Sequence, residues 1–216
     1  MRSFSPKHRG AVLRTTTTVL TLCLLSGSVE ADPKDKERWD SKYGGTEYLF
    51  GKEPIPFLQR HVSLLPKGTV LDLAMGEGRN GVFLAGQGFQ VTGLDISEKG
   101  LEKARALAAE RGVGITTRVV DLEDYRPEQN AYDVVLCLYY LQRSLVPRIK
   151  EALKRGGMAV VETYTVEHLK YRPQFKREYL LEANELLELF RDFTIIRYEF
   201  HDDGSAAYAS LIARKP

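Results

Sequence analysis

The sequence predicts an α/β protein: a Rossmann-like, seven-stranded, mostly parallel sheet with helices on both faces and a C-terminal antiparallel hairpin. Two observations carry most of that expectation. Val70-Leu-Asp-Leu-Ala-Met-Gly-Glu-Gly-Arg-Asn80 is an apolar run closed by a two-glycine turn, and after a short amphipathic segment Val91-Thr-Gly-Leu-Asp95 is a second apolar run ending in an acid, which together make a βαβ unit. At the other end, two strand-like runs are joined by the short polar link His201-Asp-Asp-Gly-Ser205, which is a hairpin signal. With 216 residues, 43% of them hydrophobic, the chain has the length of one domain and ample apolar material for its core.

Taken in order, Asp32-Pro33 is an N-cap and first-turn pair, and Lys34 to Tyr43 is a short charged helix with Trp39 and Tyr43 on one face. Gly44-Gly45 ends it. A loop through Tyr48, Phe50, Gly51 and Pro54 leads to a helix near Pro56 to Leu65, and the first strand is expected at about Thr69 to Ala74. A helix from Asn80 to Gln87 and a strand from Gln90 to Leu94 follow. Ser97 caps the next helix, whose Leu101, Ala104 and Ala108 form one stripe. Strands are expected near Gly114 to Val120 and at Tyr132 to Leu138, the latter an apolar run of the doubly buried kind. Leu145, Ile149 and Leu153 mark a helix stopped by Gly156-Gly157, before a strand at Met158 to Thr163. Tyr164 to Tyr179 is a polar, aromatic, basic insertion without a clear period. A helix with Leu186, Leu187 and Phe190 and the strands Phe193 to Phe200 and Ala206 to Ala213 close the chain.

Ligands of open α/β sheets lie beyond the carboxyl ends of the strands, where Gly76 and Gly78 let backbone N–H groups approach them. Gly76-Glu-Gly-Arg-Asn-Gly81 also matches a dinucleotide fingerprint, with Asp95 close to the expected distance, so a nicotinamide-dependent oxidoreductase stays open. Two acids favour another ligand. Asp72 lies inside the first strand, where burial is costly unless a cation such as a ligand ammonium pairs it. Asp121 adds a third carboxylate to the same rim. Partners for an ammonium, a ribose diol and an exocyclic amine together describe S-adenosylmethionine better than a dinucleotide.

The Val70 to Asn80 and Val91 to Ser97 segments resemble the class I S-adenosylmethionine-dependent methyltransferases. Leu49-Phe-Gly-Lys-Glu-Pro-Ile-Pro-Phe57 and Glu162-Thr-Tyr164 are similar to the small branch linked to tellurite resistance and to type 11/12-like methyltransferases. The resemblance runs from about residue 34 to the end. It implies that Asp72, Gly76 and Gly78 hold the methionine part, that Asp95 takes the ribose hydroxyls, and that Ile96 covers the adenine. It implies too that Asp121 and the backbone of Leu122 take the adenine amine, with Asn80 beside the turn. Where the family usually has its first glycine this chain has Ala74, and a shifted loop is expected there. The plain alternatives are a helix-capping role for Asp95 and a solvated turn for Asp121.

Methyl transfer needs an aligned nucleophile and exclusion of water more than a strong residue signature. Acceptor-pocket candidates are Tyr139, Tyr140, Arg143 and Tyr164, then Glu162, His168, Tyr171 and Arg172, with Trp39 and Tyr43 closing from the first helix. Tyr and Arg suit a small polar or anionic acceptor, such as a thiol or a tellurite- or selenite-type compound. The insertion's His168, Tyr171, Lys176 and Arg177 also fit a plain solvated face. No metal is called for, Cys137 is expected to pack in its strand, and a non-catalytic S-adenosylmethionine-binding protein remains a third reading.

The first 31 residues read as a leader, with a basic start and an uncharged run from Thr15 to Val29. A cleaved secretory signal, a retained anchor, a transit peptide and an upstream start all fit that composition. Arg2, Lys7, Arg9 and Arg14 against Glu30 give the leader a charge of +3, so within the total of +2 the remainder, residues 32–216, carries −1. A near-neutral body has no electrostatic footprint for nucleic acid. Membrane contact is expected only if the leader is retained, the localisation stays open because the methyl donor is cytoplasmic, and the oligomeric state is not legible.

Overall fold

A computed structural model describes residues 33–216. The leader expectations and the Asp32 cap lie outside the described residues. Helices α1 (Pro33–Tyr43) and α2 (Pro56–His61) precede β1 (Thr69–Leu73), α3 (Arg79–Gly86), β2 (Gln90–Asp95), α4 (Glu98–Glu110) and β3 (Thr116–Val119). Then come β4 (Tyr132–Leu138), α5 (Val146–Ala152), β5 (Leu153–Tyr164), α6 (Glu185–Leu189), β6 (Thr194–Asp202) and β7 (Ala207–Arg214). The sheet order is β3-β2-β1-β4-β5-β7-β6. The first five strands run parallel, and β7 lies antiparallel to both β5 and β6. The expected seven-stranded sheet with a terminal hairpin is therefore present.

Strand alternation sorts the core into two layers. Leu71, Leu73, Val135, Cys137 and Val161 face α5 and α6, where they meet Ile149, Leu186 and Phe190. Val70, Val134, Leu136 and Val160 face the other way and meet Phe57, Leu58, Leu84 and Leu101 of α2, α3 and α4. Since Asp72 shares the parity of Val70, its carboxyl group points to the α3 side of the sheet.

Most element ends shift by a few residues, and one residue changes element type. The helix expected to include Leu153 ends at Ala152, and Leu153 instead opens β5 opposite Tyr132. Leu153 is fully buried, and a helical stripe and a strand face both satisfy that requirement, so its apolar character does not decide between them. The insertion after β5 carries two short 3₁₀ turns, Val166–Lys170 and Arg177–Tyr179, too brief to show a period.

Candidate active site

The chain leaves β1 through a left-handed turn. Ala74, Gly76 and Gly78 have φ of 54°, 56° and 87°. A side chain at Gly78 would place its Cβ 2.6 Å from that of Ala104, so only glycine lets α4 pack on the turn. Ala74 keeps a conformation that glycine favours, so the methyl group is accommodated as backbone strain and the expectation of a shifted loop gives way to that.

Asp95 organises the turn from the end of β2. Its Oδ2 accepts the Gly76 N–H at 2.7 Å and its Oδ1 accepts the Ser97 N–H at 2.9 Å. Ser97 in turn caps α4 by accepting the Gly100 N–H at 3.1 Å, while its hydroxyl donates to Asp40 of α1 at 2.6 Å. Burial raises the Asp95 pKa against those backbone bonds. Ile96 is half-buried beside it. Past β3, Asp121 accepts the Glu123 N–H at 2.8 Å in a turn and is half-buried, and Leu122 is buried.

Asp72 is 3% exposed, and its Oδ2 has no hydrogen-bond partner. Burial, then the charge of Asp95, lifts its pKa to about 7, against a backbone bond from Gly81 at the start of α3. A buried carboxylate oxygen without a donor is a group that an ammonium completes. Together with two further carboxylates on one rim, it fits an amino-acid nucleoside. Asn80 serves the neighbouring loop instead, since its Oδ1 accepts the Ile55 N–H at 2.9 Å and ties the 44–55 loop to α3.

Adjacent residues of the turn hold the same loop. Arg79 donates to the Phe50 carbonyl at 2.8 Å, and the buried Glu77 pairs with Lys103 at 2.9 Å while accepting the Phe50 N–H at 3.4 Å. Phe50, 52% exposed, is thereby held beside the rim with its ring edge-on to Tyr43. Trp39 stacks on Tyr43 at 5.4 Å, and the Tyr43 hydroxyl oxygen lies 2.8 Å from where a Gly76 Cβ would stand, so α1 covers the turn.

The second half of the site follows β4 and β5. Tyr139 has a φ of 56°, and its N–H donates to the Glu162 carbonyl at 2.6 Å, which turns the chain sharply out of β4. Its ring lies 5.1 Å from that of Tyr164, and the Arg79 guanidinium stands 5.8 Å from the Tyr139 ring and 5.9 Å from that of Phe50. Tyr164 stacks on His168 at 4.1 Å, with Phe175 edge-on to both. His168 is buried, accepts the Ala207 N–H at 3.3 Å, and has its pKa lowered by burial. The result is an aromatic cluster around one guanidinium, backed by the buried carboxyl group of Glu162.

Four other candidates stand outside that cluster. The Tyr140 hydroxyl donates to Gln142 at 2.9 Å, and its ring packs on the α5 and α6 core. Arg143 is committed to Glu185 at 2.5 and 2.9 Å and to the Glu178 and Leu180 carbonyls, so it fastens the insertion to α6. Tyr171 bonds Asp202, and Arg172 is exposed. The Cys137 thiol, pushed up to about 12 by burial, packs in its strand. Sequence reasoning passes over Arg79. The available signal is a cation in the ligand turn with no acid three or four residues away along its helix.

Residues 70–157 match the family model described as methyltransferase domain. Residues 70–157 therefore carry a methyltransferase domain. The cofactor of this domain class is S-adenosylmethionine, and the reversed β7 between β5 and β6 sets its sheet apart from an all-parallel dinucleotide fold. Among curated relatives, a ubiquinone biosynthesis O-methyltransferase of Chromobacterium violaceum is 35% identical over 115 residues, 50% of this chain and 49% of that protein. The chain spans about half the length of such relatives. The methyltransferase domain also superposes on TehB from Haemophilus influenzae with a TM-score of 0.63 at 21% identity, covering 84% of this chain and 67% of the other. For the magnesium protoporphyrin IX methyltransferase of Synechocystis with bound SAH, the TM-score is 0.61 at 21% identity, covering 85% and 95%.

Proposed function

We propose that the protein transfers a methyl group from S-adenosylmethionine to a small-molecule acceptor seated between Arg79, Tyr139 and Tyr164. The observation that carries this reading is the contact between the glycine turn and the aromatic cluster: Arg79, one residue past Gly78, stands 5.8 Å from the Tyr139 ring, which lies 5.1 Å from that of Tyr164. In it, Asp72 pairs the ammonium, Asp95 binds the ribose diol, and Asp121 with the Leu122 backbone takes the adenine amine. When bound, the cofactor supplies an electrophilic methyl group on a sulfonium. The chain's own work is to align the acceptor and keep water out, for which α1 and the Phe50 loop are suited.

Calorimetric titration of the protein with S-adenosylmethionine, S-adenosylhomocysteine and NAD tests the reading. The first two are expected to bind, at least tenfold more weakly after Asp95→Ala, and NAD is not; binding of NAD alone sinks the reading. A thiol or a tellurite-type oxyanion remains a second acceptor class, supported by the fold shared with TehB. Selenite and thiophenol beside a phenol in a turnover assay separate the classes.

A further inference from the structure

One buried carboxylate at this edge of the sheet has no part in holding the cofactor. Glu162, near the end of β5, is 1% exposed. It faces Ser210 in the β5–β7 register, and its Oε2 accepts the Ser210 hydroxyl at 2.6 Å. The Tyr139 hydroxyl lies within hydrogen-bonding reach of the same carboxylate. No ion pair reaches it among the described residues. Arg79 of α3 and His201 of β6 act on it only through space, and His201 is engaged with Glu199 at 3.1 Å. Tyr164 and Tyr208 complete its charged and titratable surroundings.

Burying a carboxylate whose close partners are two hydroxyls is costly. A glutamine would accept from both at less cost, so packing alone gives no reason for an acid here. Burial lifts its pKa above the ordinary carboxylate value, which makes its ionised form more basic than a free carboxylate. Tyr139, meanwhile, holds a left-handed backbone conformation, and the residue is 36% exposed while its side chain reaches this buried carboxylate.

We propose that Tyr139 and Glu162 form a proton relay for an uncharged hydroxyl acceptor, a phenol in preference to a soft anion. The proposal rests on the methyl-transfer reading and narrows its acceptor. Tyr139 is the catalytic residue and Glu162 acts through it. The acceptor's O–H proton passes to the Tyr139 oxygen as that hydroxyl's own proton passes to Glu162. The acceptor oxygen takes the methyl group, and the carbon–sulfur bond breaks with its electron pair left on sulfur. A thiolate has no such proton to give, so the relay would be idle for it. Phe50, Tyr139 and Tyr164 supply aromatic surface around Arg79 for a planar acceptor.

The test uses the full chain, its Glu162→Gln, Glu162→Asp and Tyr139→Phe variants, and 4-nitrophenol, whose absorbance reports its ionisation. In the S-adenosylhomocysteine complex of the unaltered protein, near the pH where free nitrophenol is half ionised, the bound probe is expected as the neutral phenol. In Glu162→Gln it is expected to shift toward phenolate. With S-adenosylmethionine, turnover of a simple phenol should fall about 10²-fold in Glu162→Gln and Tyr139→Phe. The unaltered protein should lose rate as pH falls through the Glu162 pKa, and Glu162→Asp should restore that acidic limb. A bound probe with the same spectrum in both proteins, no probe binding, no phenol turnover, or phenol turnover undiminished in Glu162→Gln overturns the relay. Failure of S-adenosylhomocysteine to bind would instead sink the methyl-transfer reading beneath it.

Discussion

Asp72 shows how much a single residue declares by its place in the chain. An acid inside an apolar strand is costly to bury, and the fold leaves one of its oxygens without a donor. Its folded pKa of about 7 lies above the ordinary value of 3.8, so between those values the folded state holds a proton that the unfolded chain has lost. Stability is therefore expected to fall as pH rises through that window, and Asp72→Asn should flatten this part of a melting-temperature profile. Pairing with a cofactor ammonium favours the charged form, so binding should release a proton at a pH just below that folded value. Calorimetry in buffers of different ionisation enthalpy reads that release directly. Ala74 gives a second residue-scale expectation. Relief of its left-handed backbone by Ala74→Gly should outweigh the added chain entropy, raising stability by about 0.5–1 kcal/mol in a denaturant titration. The same scale shows where sequence runs out. Tyr139 is legible because it ends a strand that the sequence marks clearly. Tyr140 and Arg143 look equally suitable on paper, yet the sharp turn at Tyr139 sends them to the α5–α6 side, and no local pattern records that turn.

At the scale of elements, the turn and helix that face the ligand also hold the loop in front of it. Asn80→Ala would leave the buried Ile55 N–H without an acceptor, at an expected cost of about 1–3 kcal/mol. It should also increase proteolysis within residues 44–55, read by limited digestion followed by mass spectrometry. Strand and helix identities are legible from period and punctuation, as Tyr132–Leu138 and the Ser97 cap illustrate. The junction at Leu153 is not, since a helix stripe and a strand face bury the same side chain there. The insertion resists reading for another reason. It is held by Arg143, by the Thr165 and Leu181 bridge and by the His168 stack, contacts that local sequence periodicity does not announce.

Across the whole molecule, the parallel strands and the terminal hairpin are readable because most crossovers announce themselves as apolar run, turn and amphipathic helix, the helix-free link from β3 to β4 being the exception. What the sequence leaves unsaid is how the two halves of the site depend on each other. Glu77, Arg79 and Asn80 bind the loop that carries Phe50, while Gly76 and Gly78 beside them form the left-handed turn proposed to receive the cofactor. A ligand that settles on those glycines stiffens the anchors of the loop as well, and so finishes the wall against which the second substrate leans. The kinetic signature would be a compulsory order: donor first and acceptor second, with S-adenosylhomocysteine competing against the donor and acting noncompetitively against the acceptor in initial-rate patterns.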